Sequence, residues 1–470
     1  MDATISYVVY RHFSALVMLR NRPEVSSVIV LLTLLRAVFA SAENVEADEQ
    51  RWFASWNAPF LASSSGYGSE ATSFLVGLNS TLGKEWGIAA GLAHGDAVDY
   101  EFVQTLPPNL LQLMQKADEN QRRLNPSNTI MICHTEPGAW SVPTPFYESP
   151  VPCPYPHMEW HAIVGRTMFE TDRLPSGWDE RMNKMDEIWV PTQHHKVIFE
   201  RDGVTKPVRV IGQGIDVDFW DPDRVKPLEW DKIDPYSNCE ESDFKFLSVF
   251  KWEKRKGPDI LIPSFWNAFP EGKGACLIVV TSLYHDDETK VLKDLKKYWR
   301  QTHGGIDVNA ISGMSIPPGI VLLSGLALED LVRLYRSVDA FVLPSRGEGW
   351  GRPYMEAMAM GLPVIATNWS GPTEFVSDTV GYLLPILGLI DAGLKAFPNH
   401  QWANPDGEEL KRLLSLLKDH PQEAQVKGKK ARTHVVEHWS NVEVAKQVVE
   451  HLERLSHQKA TGNTKSRVEL

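Results

Sequence analysis

The sequence predicts an α/β protein with a doubly wound parallel sheet in its C-terminal half, and three observations support this fold class. The chain has 470 residues, which at roughly 100–200 residues per domain suggests two or three domains. From Phe244 onward, short apolar runs recur without polar alternation, as is typical of parallel strands covered on both faces. Helical patterns fall between these runs, which is the rhythm of a doubly wound sheet.

The elements of the C-terminal half can be assigned in chain order. The predicted strands cover residues 246–250, 277–280, 320–323, 340–343 and 364–366. Two amphipathic helices follow them. The first carries leucines at positions 410, 413, 414 and 417, and the second begins at Ser440, which forms a capping-box pair with Glu443.

The N-terminal half has a less regular pattern. Its predicted strands cover residues 128–133, 186–191 and 208–211. The stretch 142–156 is dense in proline and aromatic residues, which predicts a rigid, irregular surface loop. The stretch 221–243 is charged and contains proline, so it is the predicted linker between the two halves.

The overall composition excludes some classes of protein. Hydrophobic residues make up 43% of the chain and charged residues 23%, which is typical of a globular protein and not of a disordered or membrane-embedded one. The net charge of −12 disfavours a nucleic-acid partner, because such proteins usually present a basic face. An anionic nucleotide is not excluded, since local amides and a few lysines can hold it.

The four cysteines give little information. They are Cys133, Cys153, Cys239 and Cys276, and no two of them form a C-x-x-C pair, so zinc and redox motifs are unsupported. A disulfide framework is not expected in a chain of this length. Cysteine usage therefore leaves the compartment open.

Residues 1–42 differ from the rest of the chain. Arg20 and Arg22 precede an apolar run over residues 25–35, and Ala40-Ser41-Ala42 resembles a cleavage site, which together match a signal peptide. The run is too short for a firm membrane span. A leader or anchor would place the protein in the secretory pathway or at a membrane. A disordered or loosely docked extension would leave a cytoplasmic location open.

The densest signal is a glycine loop between a predicted strand and a helix. Gly347, Gly349 and Gly351 follow the strand that ends at residue 343, and they allow the backbone amides to approach a ligand closely. Pro353 suits the first helical position, and Gly361 suits the helix end. A loop that runs from the carboxyl end of a strand into a helix N-terminus is where α/β sheets bind anionic ligands.

Two glutamates accompany this loop, eight residues apart: Glu348 and Glu356. Carboxylates beside an anion site are unusual unless they accept hydrogen bonds from neutral hydroxyl groups, which ribose and hexose supply. The alternative is an ordinary strand–loop–helix connection with solvated glutamates.

The string that begins at Glu348, E-G-W-G-R-P-Y-M-E-A-M-A-M-G-L-P-V-I-A-T, resembles the E-x7-E signature of family 4 retaining glycosyltransferases, which have the GT-B fold. The segments 190–222 and 334–345 also resemble that family, and the resemblance covers roughly residues 57–450. It implies two Rossmann-like domains that face each other across a cleft.

The resemblance also implies a domain organisation. The acceptor-side domain would cover residues 43–220, and the nucleotide-sugar-binding domain would cover residues 244–430. A terminal helix over 431–456 would cross back to the first domain, and a disordered tail would cover 457–470.

The resemblance assigns roles to the residues of the motif. Glu348 would contact the donor sugar and Glu356 the ribose. The backbone of Gly349, Trp350 and Gly351 would border the sugar and the diphosphate. Gly371 and Thr373 lie in the turn after the next strand, where a second helix N-terminus would face the phosphates.

The basic turn after the strand at 246–250 is expected to neutralise the leaving diphosphate, which is often a large part of catalysis. Lys256 matches the lysine of the family. Lys251 stands where the family usually has arginine, so a bidentate fork becomes a point charge. Arg255 could be solvated or could substitute for the missing arginine. The alternative for the whole turn is a charged surface loop.

Three features of the N-terminal half also match the family. His134 resembles a histidine whose ring lies close to the donor sugar, with His157 and His161 as weaker rivals. The glycine-containing segment 65–71 would bring Gly66 and Gly68 to the diphosphate or the acceptor, or it could be an ordinary loop that caps a helix through Ser69. The segment 165–175 is predicted to line the cleft.

The function implied is transfer of a hexosyl group from a nucleotide-diphosphate sugar to an acceptor hydroxyl, with retention of configuration. No cofactor or metal is expected beyond the donor as co-substrate. The acceptor could be a glycan, lipid, protein or small molecule. The alternatives are a catalytically silent nucleotide-sugar binding protein and a GT-B enzyme of another reaction, such as an epimerase or phosphorylase.

Overall fold

The computed structural model describes residues 51–60, 66–92, 103–104, 106–142, 153–156, 158–235, 237–282, 288–306 and 316–458. The predicted leader at 1–42 and His157 lie outside the described residues, as does most of the proline-rich stretch and the tail from residue 459.

The N-terminal domain contains a six-stranded parallel sheet with the order β2-β1-β3-β4-β5-β6. Its strands are β1 Trp52–Ala58, β2 Trp86–Leu92, β3 Thr129–His134, β4 Ala162–Arg166, β5 Glu187–Val190 and β6 Val208–Val210. Its described helices are α1 Gly66–Thr81, α2 Pro108–Gln121, α3 Trp178–Met182 and α4 Gln193–Arg201. The three strands predicted in this half are confirmed within one residue at each end.

The C-terminal domain contains a second six-stranded parallel sheet with the order β12-β11-β10-β7-β8-β9. Its strands are β7 Phe244–Lys251, β8 Ala275–Ser282, β9 Ile320–Leu323, β10 Ala340–Leu343, β11 Val364–Thr367 and β12 Tyr382–Leu384. The described helices are α5 Trp230–Ile233, α6 Pro258–Ala268, α7 Glu288–Thr302, α8 Leu328–Arg336, α9 Arg352–Ala359 and α10 Gly407–Asp419. The predicted α/β class is therefore confirmed.

A short hairpin that the sequence did not predict stands between β12 and α10. Its strands, β13 Ile386–Asp391 and β14 Gln401–Pro405, pair antiparallel outside the main sheet. The hairpin matters for the site because its second strand reaches the N-terminal domain.

In both sheets the chain order reverses at one point, and crevices form at the carboxyl ends of the strands there. In the C-terminal domain these strands are β7 and β10, which are neighbours in the sheet but far apart in sequence. In the N-terminal domain they are β1 and β3. The topology thus directs the segments after Lys251, Leu343 and His134 to such crevices.

The C-terminal end of the described chain forms two helices, α11 Pro421–His438 and α12 Asn441–Ser456. The segment predicted as one helix over 431–456 is interrupted at Trp439 and Ser440. One half of the predicted capping box is confirmed, because the Ser440 hydroxyl accepts a hydrogen bond from the Glu443 amide at 3.3 Å. The Glu443 carboxylate accepts from Lys446 at 2.7 Å. At this junction the backbone also pairs with Ile215 of the N-terminal domain.

Helix α12 crosses back and packs on α1 of the N-terminal domain. Gly77 makes the close approach possible, because a Cβ at this position would overlap with the carbonyl oxygen of Asn441. Near the other end of α12, Arg454 donates to both carboxylate oxygens of Glu187 in β5, at 2.7 and 2.6 Å. Helix α12 therefore joins the end of the chain to the first sheet.

The predicted linker, residues 221–243, is folded onto the C-terminal domain. It includes helix α5, and Leu228 and Ile233 are buried in the same hydrophobic cluster as strand β7. Its only described helix is one turn long, and so short a helix contributes little stability by itself. The burial of Leu228 and Ile233 therefore holds the segment in place.

The expectation about the cysteines was wrong. Cys133 in β3 is bonded to Cys153, and Cys239 is bonded to Cys276 in β8. The Cα atoms of the pairs are 5.5 and 5.7 Å apart, within the range of disulfides. Each bond joins a strand to a segment brought beside it by the fold, 20 or 37 residues away, so spacing gave no signal.

Among the described helices, none is long and apolar enough to cross a membrane.

The packing of α12 on α1 gives a prediction about stability. Gly77→Ala should destabilise the fold by about 2–3 kcal/mol, because overpacking against a backbone carbonyl outweighs the gain of about 1 kcal/mol in helix propensity. The measurement is the free energy of unfolding in urea. Gly66→Ala in the same helix is the control, since a Cβ there meets no atom within 4 Å. Equal stability of the two variants would contradict the packing described.

Candidate functional site

The predicted glycine loop lies between β10 and α9, as expected. Gly351 has φ +105° at the residue before the helix, a backbone conformation that favours glycine. The loop rests on the turn after β11, where the Gly371 amide donates to the carbonyl oxygen of Glu348 at 3.0 Å. A side chain at position 371 would overlap with the carbonyl oxygen of Trp350. The two turns therefore pack backbone against backbone.

Ser370 holds this arrangement in a strained conformation. Its φ is +59° and its ψ −140°, a region that non-glycine residues rarely occupy. Its hydroxyl accepts from the Glu348 amide at 3.0 Å, and its carbonyl accepts from the Thr373 hydroxyl at 2.7 Å. Thr373 was predicted to bind the donor substrate, but its hydroxyl is used inside the turn. Its amide also donates to the carbonyl oxygen of Ser370.

The carboxylate of Glu348 is almost completely buried and is held by cations. The Lys256 ammonium donates to its two oxygens at 2.6 and 2.8 Å, and Arg255 approaches one of them at 3.5 Å. Burial opposes the charged form of Glu348, but Lys256 and Arg255 outweigh it, so the pKa lies below its usual value. Burial also lowers the pKa of Lys256, and Glu348 opposes that effect.

Arg255 connects the two domains at this point. Its guanidinium donates to the carbonyl oxygen of Gly347 at 2.8 Å and to Glu253 at 2.8 Å. The carboxylate of Glu170, from the N-terminal domain, lies 3.6 Å away. Burial opposes the charged form of Arg255, but Glu170, Glu348 and Glu253 outweigh it and raise the pKa. The cations predicted at 255 and 256 therefore do meet Glu348.

The segment of residues 167–173, called the cleft loop below, packs directly on the glycine loop. A Cβ at Gly347 would overlap with the carbonyl oxygen of Glu170, and a Cβ at Gly349 would overlap with the sulfur of Met168. At Gly347 the overlap is with backbone, so only glycine allows this close approach, whereas at Gly349 the Met168 side chain would have to move. The carboxylate of Glu348 accordingly lies at the boundary between the domains.

The hairpin of the C-terminal domain also contacts the cleft loop. Asp172 and Gln401 exchange two hydrogen bonds, from the Asp172 amide at 3.1 Å and to its carboxylate at 2.7 Å. The Thr171 hydroxyl and the His400 Nδ1 atom are 2.7 Å apart. Phe397 packs edge-on against Phe169. Sequence reasoning missed these contacts because the hairpin has too few residues to give a pattern.

Glu356 lies one helical turn into α9. Its carboxylate accepts from the Tyr335 hydroxyl at 3.0 Å. Burial raises the pKa of Glu356, and this rise is opposed by Arg352 and by the bond from Tyr335. The role of Tyr335 was not predicted, although it lies in the segment 334–345 that carries part of the resemblance.

Two other predicted residues occupy different surroundings. The side chain of Trp350 is buried against Phe375 and Trp439, so only its backbone can border a ligand. Lys251 is the last residue of β7 and is partly exposed at the carboxyl end of that strand, beside Ser282 of β8. It therefore lies at the same edge of the sheet as the basic turn.

His134 ends β3 at the carboxyl edge of the first sheet, but its ring is completely buried. Trp56 donates to its Nδ1 atom at 2.9 Å, and its Nε2 atom is 3.1 Å from a carboxylate oxygen of Glu70. Because Nδ1 accepts from Trp56, the ring carries its proton on Nε2 and donates it to Glu70. Burial also lowers the pKa of His134, an effect that Glu70 opposes. Tyr67 packs edge-on against it. The structure thus places His134 beneath the cleft surface, and its contact with a donor stays a prediction.

Glu70 and Arg166 form a buried ion pair next to His134. Arg166 donates to one Glu70 oxygen from Nε at 2.9 Å and from Nη2 by a second, shorter bond. Burial would raise the pKa of Glu70, but Arg166 and then His134 lower it to about 2. Sequence reasoning did not assign this pair a role, because the two residues are separated by 96 positions.

The glycine segment at 65–71 is not a loop in the described residues. Helix α1 begins at Gly66, so Gly66 and Gly68 lie in its first turn. Ser69 is exposed inside that turn and does not cap the helix. The alternative prediction, a loop that caps the helix through Ser69, was therefore also wrong. The Tyr67 hydroxyl donates to the carbonyl oxygen of Met168 at 3.1 Å, which joins the start of α1 to the cleft loop.

The rival histidine at position 161 has a structural role. Its Nε2 atom lies 3.0 Å from the carbonyl oxygen of Leu455 in α12, and its ring packs edge-on against Trp52. It precedes β4 and so lies at the amino edge of the sheet, opposite the site.

Across the described part of the chain, no group of three histidine, cysteine or acidic residues could hold a metal ion.

Part of the chain is similar to known glycosyltransferases. Residues 244–392 match the family model described as Glycosyl transferases group 1. The chain is 27% identical over 195 residues to the capsular polysaccharide biosynthesis glycosyltransferase CapM of Staphylococcus aureus, covering 40% of this chain and 45% of CapM. It is 25% identical over 315 residues to the alpha-1,3/1,6-mannosyltransferase alg-2 of Neurospora crassa, covering 63% of this chain and 61% of that protein. The chain thus spans less than two thirds of either relative.

The fold has solved counterparts. The structure of HepE from Anabaena in complex with UDP-glucose superposes with a TM-score of 0.54 at 15% sequence identity, over 86% of this chain and 99% of HepE. The chain therefore has the two-domain GT-B fold, and the predicted resemblance to group 1 glycosyltransferases is confirmed, most directly for the C-terminal domain. Assignment to the retaining family 4 stays a prediction.

The buried pair in the N-terminal domain gives a testable prediction. Glu70→Gln should lower the free energy of unfolding by about 3–5 kcal/mol at pH 7, because it leaves the buried Arg166 without its counter-charge. Because the pKa of Glu70 is depressed to about 2, its contribution is complete above about pH 4.5 and fades as the pH falls toward 2.

Unfolding in urea at pH 7, 4 and 3 measures this difference. The control is Glu200→Gln, since Glu200 forms an exposed pair with Lys196 and should change stability by less than about 0.5 kcal/mol. A loss of stability at Glu70 that did not shrink between pH 7 and 3 would contradict the assignment of charge.

Proposed function

We propose that the chain is a glycosyltransferase that moves a hexosyl group from a nucleotide-diphosphate sugar to an acceptor hydroxyl, with retention of anomeric configuration and without a metal. The observation that carries the proposal is the position of the Glu348 carboxylate. It lies within a glycine loop, between two domains, and Lys256 and Arg255 hold it there. A carboxylate and two cations side by side fit a ligand that has both hydroxyl groups and phosphates.

The donor would bind along the loop and the helix that follows it. Glu348 would accept hydrogen bonds from the sugar, and Glu356 from the ribose. The amides of Gly349, Trp350 and Gly351 would face the diphosphate. UDP-glucose bound to HepE and the mannosyltransferase activity named for alg-2 support a nucleotide sugar as the donor, and they leave its base and sugar open.

The basic turn would supply the main chemical effect. The acceptor oxygen forms a bond to the anomeric carbon while the bond from that carbon to the diphosphate oxygen breaks, and the hydroxyl proton is released with the nucleotide diphosphate. Negative charge develops on the departing diphosphate, and Lys256, Arg255 and Lys251 would stabilise it. Preorganised charges in a closed site are effective because they need no reorganisation during the reaction.

The ion pairs of the free protein would keep these cations in position. Arg255 and Lys256 are held by Glu348, Glu253 and Glu170, so they do not need to be ordered when the donor arrives. The cleft loop closes over the glycine loop, which would exclude water and limit hydrolysis of the donor.

The first test is donor binding and turnover. Glu348→Gln should lower turnover about 10²–10³-fold while UDP or GDP still binds, because the sugar contact is lost and the cations remain. Thermal shift with UDP, GDP, UDP-glucose, UDP-N-acetylglucosamine and GDP-mannose identifies the donor, and release of nucleotide diphosphate measures turnover.

Glu408→Gln is the matched control, since its side chain is 83% exposed on α10, and it should behave as the wild type. Tight nucleotide binding by the wild type without turnover on any donor would favour a silent binding protein. Formation of a phosphorylated sugar that depends on added phosphate would favour a phosphorylase.

Retention can be tested without knowing the acceptor. Slow hydrolysis of an α-linked nucleotide sugar should release the α anomer first, because water takes the place of the acceptor on the same face. Proton NMR at early times separates the two anomers before they interconvert. Release of the β anomer first would show inversion and would remove the retaining mechanism from the proposal.

A further inference from the structure

Two of the three cations assigned to the diphosphate, Lys256 and Arg255, are balanced by carboxylates in the free protein. Lys256 pairs with Glu348, and Arg255 has Glu348, Glu253 and Glu170 within 3.6 Å. A diphosphate would add negative charge to a site whose acidic side chains already offset these two cations. A further cation near the start of α9 would make the charges of a bound donor balance.

Arg352 is such a cation. It is the first residue of α9 and is partly buried. Its guanidinium donates to the carbonyl oxygen of Gly214 at 3.3 Å and to the Ser73 hydroxyl at 3.4 Å, both long contacts to neutral groups. Within the described residues, no carboxylate lies within 4 Å of it. A guanidinium has five N–H donors, so these two bonds leave donors for a ligand.

The nearest carboxylates are not available as ion-pair partners. Glu70 is held by Arg166 and His134, and Glu356 accepts from Tyr335. Both act on Arg352 at longer range and only oppose the effect of burial, which lowers the pKa of the guanidinium. A charged group that is partly removed from water and has no counter-ion favours binding of an anion.

The spacing of Arg352 and Glu356 suggests which anion binds. The two residues are four positions apart on one helix, so their side chains start about 5–6 Å apart on the same face. In a nucleotide the ribose hydroxyls and the α-phosphate are held on one ring system through C5′, at a similar separation. The helix N-terminus at Gly351 also favours a negative group near Arg352 and not near Glu356.

From this juxtaposition we propose that Arg352 binds the α-phosphate of the nucleotide while Glu356 binds the ribose, so that one turn of α9 recognises the nucleoside monophosphate part of the donor. The inference rests on the proposed function and deepens it. Because Arg352 also contacts Ser73 and Gly214, the bound phosphate would stand beside the N-terminal domain and would favour the closed arrangement.

The experiment compares ligands that differ by one phosphate. Wild type, Arg352→Gln and Arg352→Lys are titrated by calorimetry with uridine, UMP and UDP, and with guanosine, GMP and GDP. Arg352→Gln should weaken binding of the monophosphate and the diphosphate by the same factor, about 10- to 100-fold, and leave the nucleoside unchanged. Arg352→Lys should recover part of the loss, because it keeps the charge but not the fork.

Ser73→Ala is the matched control for a purely structural role. It removes the partner of Arg352 across the cleft but keeps the cation, so UDP and GDP should bind as they do to the wild type. Thermal unfolding of each variant shows whether it is folded. If Arg352→Gln does not fold, the comparison of Arg352→Lys with Ser73→Ala gives the same test.

Each contrary result has a distinct meaning. Loss of diphosphate binding with unchanged monophosphate binding would move Arg352 to the β-phosphate and overturn the inference. Equal weakening by Ser73→Ala would show that Arg352 acts only by closing the cleft, which also overturns it. Unchanged binding by Arg352→Gln would overturn it while the proposed function stands. A wild type that binds none of these nucleotides would overturn both.

Discussion

Arg255 is the side chain on which the geometry of the site depends most. It donates a hydrogen bond to the backbone of the glycine loop at Gly347 and forms ion pairs with two carboxylates of its own domain and with Glu170 of the other domain, the last at 3.6 Å. A planar guanidinium with five donors can hold several partners in fixed directions, whereas an ammonium group is a point charge. Arg255 therefore links the shape of the loop to the contact between the domains, alongside the packing of the cleft loop on Gly347 and its hydrogen bonds with the hairpin.

The glycines of the site allow neighbouring segments of the chain to approach the loop closely. Gly347 lies against the backbone of the cleft loop and Gly371 against that of the glycine loop, each with no space for a side chain, and Gly349 lies against the side chain of Met168. Backbone amides and carbonyls thus come together from three segments that are distant in sequence. Such a site presents oriented dipoles without flexible side chains, which is the arrangement that preorganised binding of a diphosphate requires.

The sequence predicted the parts of the fold whose signal is local. Strands β9 and β10 were predicted with their observed ends, because buried parallel strands leave continuous apolar runs. Strands β1 and β2 were missed because tryptophan, serine, asparagine and glycine interrupt their runs, although the strands are largely buried. Glu348 was found because it stands in a glycine-rich loop, and Lys256 because the basic turn resembles that of the family. Glu70 and Arg166 were given no role, since only the topology brings them together.

Each domain contains a buried carboxylate, but the two differ in where their partners lie. This difference distinguishes a structural ion pair from one that belongs to the ligand site. Glu70 has Arg166 and His134 as partners from its own domain, all of them completely buried. Its charge is satisfied inside one domain, so domain opening or ligand binding need not disturb it. Glu348 shares Arg255 with Glu170 across the boundary, and both Arg255 and Lys256 keep part of their surface exposed. An ion pair that is shared between two bodies can exchange a carboxylate for a phosphate at low cost, because the cation stays in place and only its partner changes. By this argument the network around Glu348, and not the completely buried one around Glu70, is where an anionic ligand can enter.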